Sequence, residues 1–430
     1  MFIQHYKQNL EKNTKFVSEK IKTFNMNFYK KTTIILLSIV LGNLTILHAQ
    51  EKDTIIKEKE YQFEITKKIK TTDVKNQNRS GTCWSFATVS FIESEILRIS
   101  NEEYDLSEMY FVRLAYYTKA INYIRLHGKA NFSPGGQAHD VINIIRQYGL
   151  MPEQVYPGLN YGEDNHNHGE LDAVLKGFLD AVKKNKNKKI TPNWINAFNA
   201  VLDVYLGELP TEFKYNDKTY TSKQFAENSG LNPDDYVELT SYSHHPFYTS
   251  FSLEIPDNWS NDKYYNLPID ELVLVMDKAI ENDYTIAWDG DVSDKGFSHR
   301  KGLAIVPEKN LEDLNDTERE KWEKLTKKEK ESQLYKFKKP QKEKNITQEI
   351  HQKAFDNYTS TDDHLMHIIG IAKDQKGTKY YITKNSWAAK SNDFGGYLNM
   401  SESYIRLNTI AIMIHKDAIP KKIRKKLGIK

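Results

Sequence analysis

One cysteine in 430 residues, Cys83, is the strongest constraint this sequence sets. No intramolecular disulfide can form and a structural zinc site of the thiolate type is excluded, so the fold has to rest on a hydrophobic core. The chain can supply one: apolar residues make up 39% and charged residues 28%, a polar but foldable composition. Its length suits two or three domains, or one core fold carrying large insertions. Sixty-one Lys and Arg against 58 Asp and Glu leave a formal charge of +3, too even for a nucleic-acid footprint over the whole chain.

Lys30 and Lys31 precede an apolar run over residues 32–47, followed by His48-Ala49-Gln50 and a charged segment. A basic start, a short apolar stretch and a small residue at the boundary are the parts of a secretory signal peptide, with cleavage expected after Ala49 or Gln50 and Met26 as the better start. An uncleaved membrane anchor is the alternative, although the run falls short of the ~20 residues a spanning helix needs. Membrane contact is expected only through this segment. A solitary thiol in an exported protein meets oxidants, and is paired, used or buried.

Alternating Tyr61, Phe63 and Ile65 suggest a first strand. After a polar loop, Phe86, Val89, Ile92 and Ile96 recur at helical spacing, which puts Cys83 on the first turn of a largely buried helix with Ser80 or Thr82 as its cap. Further helices fit residues 107–114 behind Ser107, 138–148 closed by Gly149, 171–183, 194–206 and 268–282. Strands fit 284–288, 365–372, 379–384, 396–400 and 410–415. Helices first and strands last give an α+β protein. The expected organisation is a leader and signal segment over 1–50, a helical lobe over 51–160, a helical insertion over 161–265 and a β lobe over 266–306 and 351–416. A Lys/Glu-rich solvated excursion occupies 307–350, and a basic tail, read as a short amphipathic helix, 417–430.

A cysteine at a helix N-terminus has its thiolate favoured by the unpaired N–H groups there, which lowers the pKa and raises nucleophilicity. Such a thiolate needs an imidazole partner and a third group to orient the imidazole. Residues 74–87 (VKNQNRSGTCWSFA) resemble the nucleophile segment of papain-like cysteine peptidases, with Gln77 six residues before Cys83 and Gly81 two before. Asp363-His364-Leu365-Met366 resembles the family's histidine block, Lys384-Asn385-Ser386-Trp387 its Asn-Ser-Trp block, and Gly395-Gly396-Tyr397 the strand that follows. His364 rather than His367 fits the spacing to Gly370. On an extended strand the two face opposite sides, which leaves His367 as a packed core histidine.

The resemblance implies a two-lobed papain-like fold with a helical and a β-barrel-like lobe. It implies Cys83 as nucleophile, His364 as acid and base, Asn385 as its orienting partner, and the Gln77 amide with the Cys83 N–H as oxyanion donors. Gly135, Gly136, Trp387 and Asp363 would line the substrate side, Trp387 shielding the His–Asn bond; Pro134-Gly135-Gly136 reads equally as a turn before a helix. Within the family, the absence of disulfides, the short stretch before Gln77, Gly149-Leu150-Met151-Pro152-Glu153 and the strand end Asp289-Gly290-Asp291-Val292 are similar to the bleomycin hydrolase and aminopeptidase C branch. There a C-terminal arm lies in the cleft and a hexameric ring confines the sites; residues 417–430 do not match that arm, and a homo-oligomer stays open.

The expected function is therefore an exported cysteine peptidase acting on peptide or protein substrates through a thioester, with no metal or organic cofactor and no nucleic-acid partner. The alternatives are an acyl transferase using the same acyl-enzyme, and an idle peptide-binding protein on this scaffold. His166 and His168, near Glu163 and Asp164, read as a solvated loop in preference to a surface metal site. His244-His245-Pro246 reads as a turn with a packing role.

Overall fold

Eleven strands form one sheet whose middle strand carries the first candidate histidine. The structure is a computed structural model that describes residues 60–187, 189–308 and 316–430. The signal segment and presumed start lie outside the described residues, and no described helix is long and apolar enough to cross a membrane. Everything below concerns the body Phe63–Lys430.

In chain order the strands are β1 (Phe63–Lys68), β2 (Phe213–Tyr215), β3 (Lys218–Tyr220), β4 (Tyr236–Thr240), β5 (Ser250–Ser252), β6 (Lys263–Asn266) and β7 (Ile286–Gly290). They continue as β8 (Phe297–Ser298), β9 (Leu303–Ala304), β10 (His364–Asp374), β11 (Lys379–Lys384), β12 (Tyr397–Ser401) and β13 (Thr409–His415). The large sheet runs β5-β6-β4-β13-β7-β10-β11-β12-β9-β8, with β1 also antiparallel to the far half of β10; β2 and β3 form a separate hairpin. β10 is an apolar run buried along almost its whole length, so it lies at the centre with both faces covered.

The helices are α1 (Cys83–Ser100), α2 (Glu108–Arg125), α3 (Ala138–Tyr148), α4 (Gly169–Lys183), α5 (Asn193–Leu206) and α6 (Ser222–Asn228). After them come α7 (Ile269–Glu281), α8 (Asp316–Glu323), α9 (Lys327–Leu334), α10 (Gln348–Asp356), α11 (Glu402–Asn408) and α12 (Lys421–Leu427). One apolar cluster gathers α1 to α5; a second gathers α7, α11 and α12 on β7 and β10–β13. α1 lies between them, buried all round from Trp84 to Ile96, and packs on β10 and β7. Its polar residues are tied outward: Ser85 Oγ donates to the Glu108 carbonyl, and Glu93 accepts from Thr72 Oγ1 and the Leu106 N–H.

Local chemistry explains the boundaries. Ser107 Oγ accepts from the Tyr110 N–H to start α2, which continues to Arg125, well past the 107–114 the sequence pattern supports. Asp140 closes a capping box on the Gln137 N–H at the start of α3. Gly149 ends α3 at φ +93°, where a Cβ would sit 2.2 Å from the Ser222 carbonyl oxygen.

Residues 161–265 are only partly the helical insertion expected. α4, α5 and α6 are there, but β4, β5 and β6 join the main sheet, β4 lying antiparallel to β13. Their three to five residues, mixed in polarity, sit at or near a sheet edge and leave no alternating pattern to read. The charged excursion also differs from a fully solvated segment. α8 and α9 are Lys/Glu-rich, yet the returning chain packs: Glu343 accepts from the Val306 N–H and from Ser401 Oγ, and Ile346 is buried. At the C-terminal end Ile423 and Leu427 are buried, and Lys426 Nζ donates to Glu271 of α7.

Candidate active site

The loop before α1 is built to hold a chain that cannot follow a strand or helix. Asn78 and Gly81 adopt positive φ, and a Cβ on Gly81 would press on Pro134 at 3.0 Å. The loop pairs on two sides: the Gln77 N–H donates to the Ser386 carbonyl, the Ala388 N–H to the Lys75 carbonyl, and the Arg79 N–H to the His166 carbonyl. Thr82 stands at the N-cap, but neither Thr82 nor Ser80 caps α1 with its side chain as expected, because their hydroxyls lie 2.5 Å apart and bond to each other. The end of α1 that carries Cys83 thus keeps its first N–H groups clear of any side-chain cap.

His364 opens β10 opposite Gly290 of β7. The Leu365 N–H, on the peptide that follows His364, donates to the Cys83 sulfur, which brings nucleophile and histidine strand together. His364 Nε2 lies 2.8 Å from Asn385 Oδ1. That oxygen also accepts the Ser386 N–H at 2.7 Å, which fixes the amide orientation and makes Nε2 the protonated nitrogen.

The chain of bonds continues through a residue the sequence reading missed. Asn385 Nδ2 donates to His299 Nδ1 at 3.3 Å, His299 Nε2 donates to Ser391 Oγ at 2.7 Å, and Ser391 Oγ donates to the Ala388 carbonyl. Each donor is set by the next acceptor, so the relay leaves His364 with a bare Nδ1, the nitrogen free to take a proton. Trp387 covers this relay, its ring centroid 4.9 Å from those of both His364 and His299. Ser386 Oγ donates to Gln77 Oε1 at 2.6 Å, so the Gln77 amide is held by its oxygen with its N–H₂ end left to donate. Ser386 lay inside a recognisable block; a lone His299 carried no signal.

On the opposite wall, Trp84 Nε1 donates to the Pro134 carbonyl and the buried Lys119 Nζ to the Ser133 and Gly135 carbonyls. Gly135 and Gly136 are there because nothing larger fits: a Cβ on Gly135 would sit 1.9 Å from Asp257 Oδ2, and one on Gly136 2.6 Å from Asp140 Oδ2 and 3.1 Å from the Trp84 ring. Asp363, expected on the substrate side, is exposed and bonded to the Ser293 N–H and Thr361 Oγ1, within the turn after β7. The acidic neighbours that bear on Cys83 are instead Asp362, Asp289 and Asp257.

Burial is the first influence on the charge of both partners. Burial pushes the Cys83 thiol up to about 12, the Leu365 N–H opposes this, and the three aspartates reinforce it. Burial likewise brings His364 down to about 4 against the Asn385 bond that favours the charged ring. Burial raises Asp289 well above the usual carboxylate range and Asp362 to about 7.

His367 is fully buried on the other side of β10, with Nδ1 2.9 Å from Ser90 Oγ of α1. His166 and His168 are also buried, not solvated; burial lowers both to about 4, and the carbonyl and N–H of this segment bracket Arg79.

Known proteins are similar to this chain in sequence and fold. The sequence matches the Peptidase C1-like family over residues 15–337 and 330–429. Aminopeptidase G of Lactobacillus delbrueckii subsp. lactis is 21% identical over 392 residues, covering 82% of each chain. Aminopeptidase C of Lactobacillus helveticus is 23% identical over 395 residues, covering 81% of each. The crystal structure of pepw from Lactobacillus rhamnosis superposes with a TM-score of 0.63 at 18% identity, covering 85% of this chain and 84% of that one. The chain belongs to the Peptidase C1-like family and is a papain-like cysteine peptidase of the aminopeptidase C branch.

Proposed function

We propose that the protein is an exported peptidase that trims peptides from their amino ends, with Cys83 as nucleophile, His364 as acid and base, Asn385 as orienting partner and Gln77 as oxyanion donor. The observation that carries this reading is the bonded relay that leaves His364 Nδ1 bare next to the strand whose Leu365 N–H meets the Cys83 sulfur. As Cys83 attacks the scissile carbonyl, its proton passes to His364. The imidazolium so formed protonates the leaving amine, and a thioester remains; water then attacks it, giving up a proton to His364 as the acid product leaves. Thiolate and imidazolium arise during attack, not in the resting cleft. The Gln77 amide and the Cys83 N–H would bear the oxyanion, each such donor contributing about 2.7–4 kcal/mol to the barrier difference. Trp387 keeps water off the relay, while Gly135 and Gly136 let a substrate backbone approach.

The aminopeptidase reading draws on the relatives' names and on Asp257 and Asp362, acidic groups near Cys83 that a protonated α-amine would return to the charged form. Export draws on Lys30, Lys31 and the apolar run before Ala49. Digestion of a mixed peptide library, read by mass spectrometry, tests the cleavage mode: stepwise ladders from the amino end support it, and internal cuts on N-acetylated peptides refute it. Amino-terminal sequencing of the protein recovered outside the cytoplasm tests export, a start at Gln50 or Glu51 being the expected result.

A further inference from the structure

Between β4 and β5 the chain presents two consecutive imidazoles to one carboxylate. His244 Nε2 lies 3.1 Å from Glu254 Oε2 and His245 Nε2 lies 2.8 Å from Glu254 Oε1. The ligand-type atoms of all three residues fall within 4.8 Å of one another, the one such group among the described residues. Neighbours in an extended chain point to opposite sides. Here the turn ending at Pro246 breaks that alternation, and the two ring centroids stand 4.6 Å apart.

The rings are held in place from behind. His245 stacks on Phe251 at 4.0 Å, and His244 lies parallel to Phe355 of α10 at 5.7 Å. His244 Nδ1 meets the side-chain amide of Gln352, its Nε2 at 3.0 Å and Oε1 at 3.4 Å. Gln352 is itself anchored, since its Oε1 accepts the Ser243 N–H at 2.6 Å and its Nε2 donates to Asp356 at 2.8 Å. Such outer partners are what orient the histidines of metal sites. The side chains of His244, His245 and Glu254 keep exposures of 31%, 33% and 57%, so one side of the cluster faces solvent. A packing role, the expectation from sequence, explains the stacking on phenylalanines but not why both Nε2 atoms converge on one carboxylate.

We propose that His244, His245 and Glu254 bind a divalent transition-metal ion of the zinc class, through the two Nε2 atoms and a carboxylate oxygen, with water at the fourth position. Two imidazoles and one carboxylate suit Zn²⁺ and its neighbours, whereas Mg²⁺ and Ca²⁺ favour all-oxygen sets. Coordination needs the Nε2 lone pairs; without an ion Gln352 Nε2, at 3.0 Å, donates to His244 Nδ1, so loading the site moves that ring proton from Nε2 to Nδ1 and shifts its contact to Gln352 Oε1. The ion fastens the turn after β4 to the segment after β5. This inference is independent of the peptidase reading.

The test uses untagged full-length protein carrying Cys83→Ala, which removes the single thiol as a competing ligand. Zn²⁺ titrated against a chromogenic chelator is expected to show one equivalent that His244→Ala/His245→Ala lacks and that millimolar Mg²⁺ or Ca²⁺ leaves in place. Gln352→Ala weakens this equivalent about 10–100-fold. Zn²⁺ also raises the thermal midpoint of the Cys83→Ala protein but not of the double variant. Should the double variant misfold by circular dichroism, Glu254→Gln is read by the same titration. A Zn²⁺ equivalent retained in these variants, none in the parent, or displacement by Ca²⁺ overturns the proposal.

Discussion

His364 and His367 sit three residues apart on one strand, both buried, both with pKa values driven down by burial, and they are fitted for opposite purposes. His364 faces an amide whose every hydrogen bond is directional, which leaves a bare ring nitrogen at the start of β10. His367 faces Ser90 of α1 and stands beside the Lys384 ammonium, which opposes its protonation further. Burial does not separate a base from a core residue, although the spacing to Gly370 does. So does the partner on the other nitrogen.

The largest break in this comparison comes from His364→Ala and Cys83→Ala. Each is expected to lower kcat/KM on peptide substrates by about 10⁴-fold or more while leaving the thermal midpoint within a few degrees. By contrast His367→Leu, measured in the same assays, is expected to retain kcat; a large loss there would move the base to the wrong side of the strand.

Acid sharpens what the two share. An imidazole neutral in the fold takes up a proton on unfolding, so its contribution is complete above the unfolded value near 6.5 and is lost as pH falls toward the folded value. His364 and His351, both brought to about 4 by burial, each withdraw about 3 kcal/mol over that window, and His166 and His168 act in the same direction. Asp362, raised to about 7, acts in the opposite sense over this range, so the histidine share is read by comparing parent and His351→Asn proteins: the parent's urea midpoint is expected to fall more between pH 6.5 and 4, and parallel profiles would contradict a neutral buried ring.

Smaller effects follow along the relay. Asn385→Ala is expected to cost about 100-fold in kcat, and His299→Phe about 10-fold with KM unchanged, since the first removes the bond to His364 and the second only the acceptor that orients Asn385. Equal losses would place both in one role. The gentlest test is iodoacetamide labelling of Cys83, expected to rise with pH through the neutral range because the thiol keeps its proton; a plateau from pH 5 to 8 would indicate a resting ion pair.

The sequence made some of this plain for reasons that can be named. α3 runs Ala138–Tyr148 and β11 Lys379–Lys384, as the pattern suggests, because a capping pair and Gly149 bound the first and an apolar run bounds the second. The four blocks around Cys83, His364, Asn385 and Tyr397 were legible because they are contiguous strings. His299 was not, since nothing local distinguishes it until the fold sets it against Asn385. Nor were the acidic neighbours of Cys83: Asp257, Asp289 and Asp362 come from three separate segments and meet only in the fold. The same holds for β4–β6, short strands at one end of the sheet whose identity comes from the neighbours they pair with.

The knot behind the nucleophile has a mechanical outcome. Ser90 Oγ takes Lys384 Nζ at 2.8 Å as well as His367, and Lys384 also grips the Thr72 carbonyl, so helix, sheet and entry strand are lashed at one point beneath the cleft. One ammonium thus ties three separate segments, so its loss would loosen the nucleophile helix, the sheet and the chain leading to the nucleophile loop together.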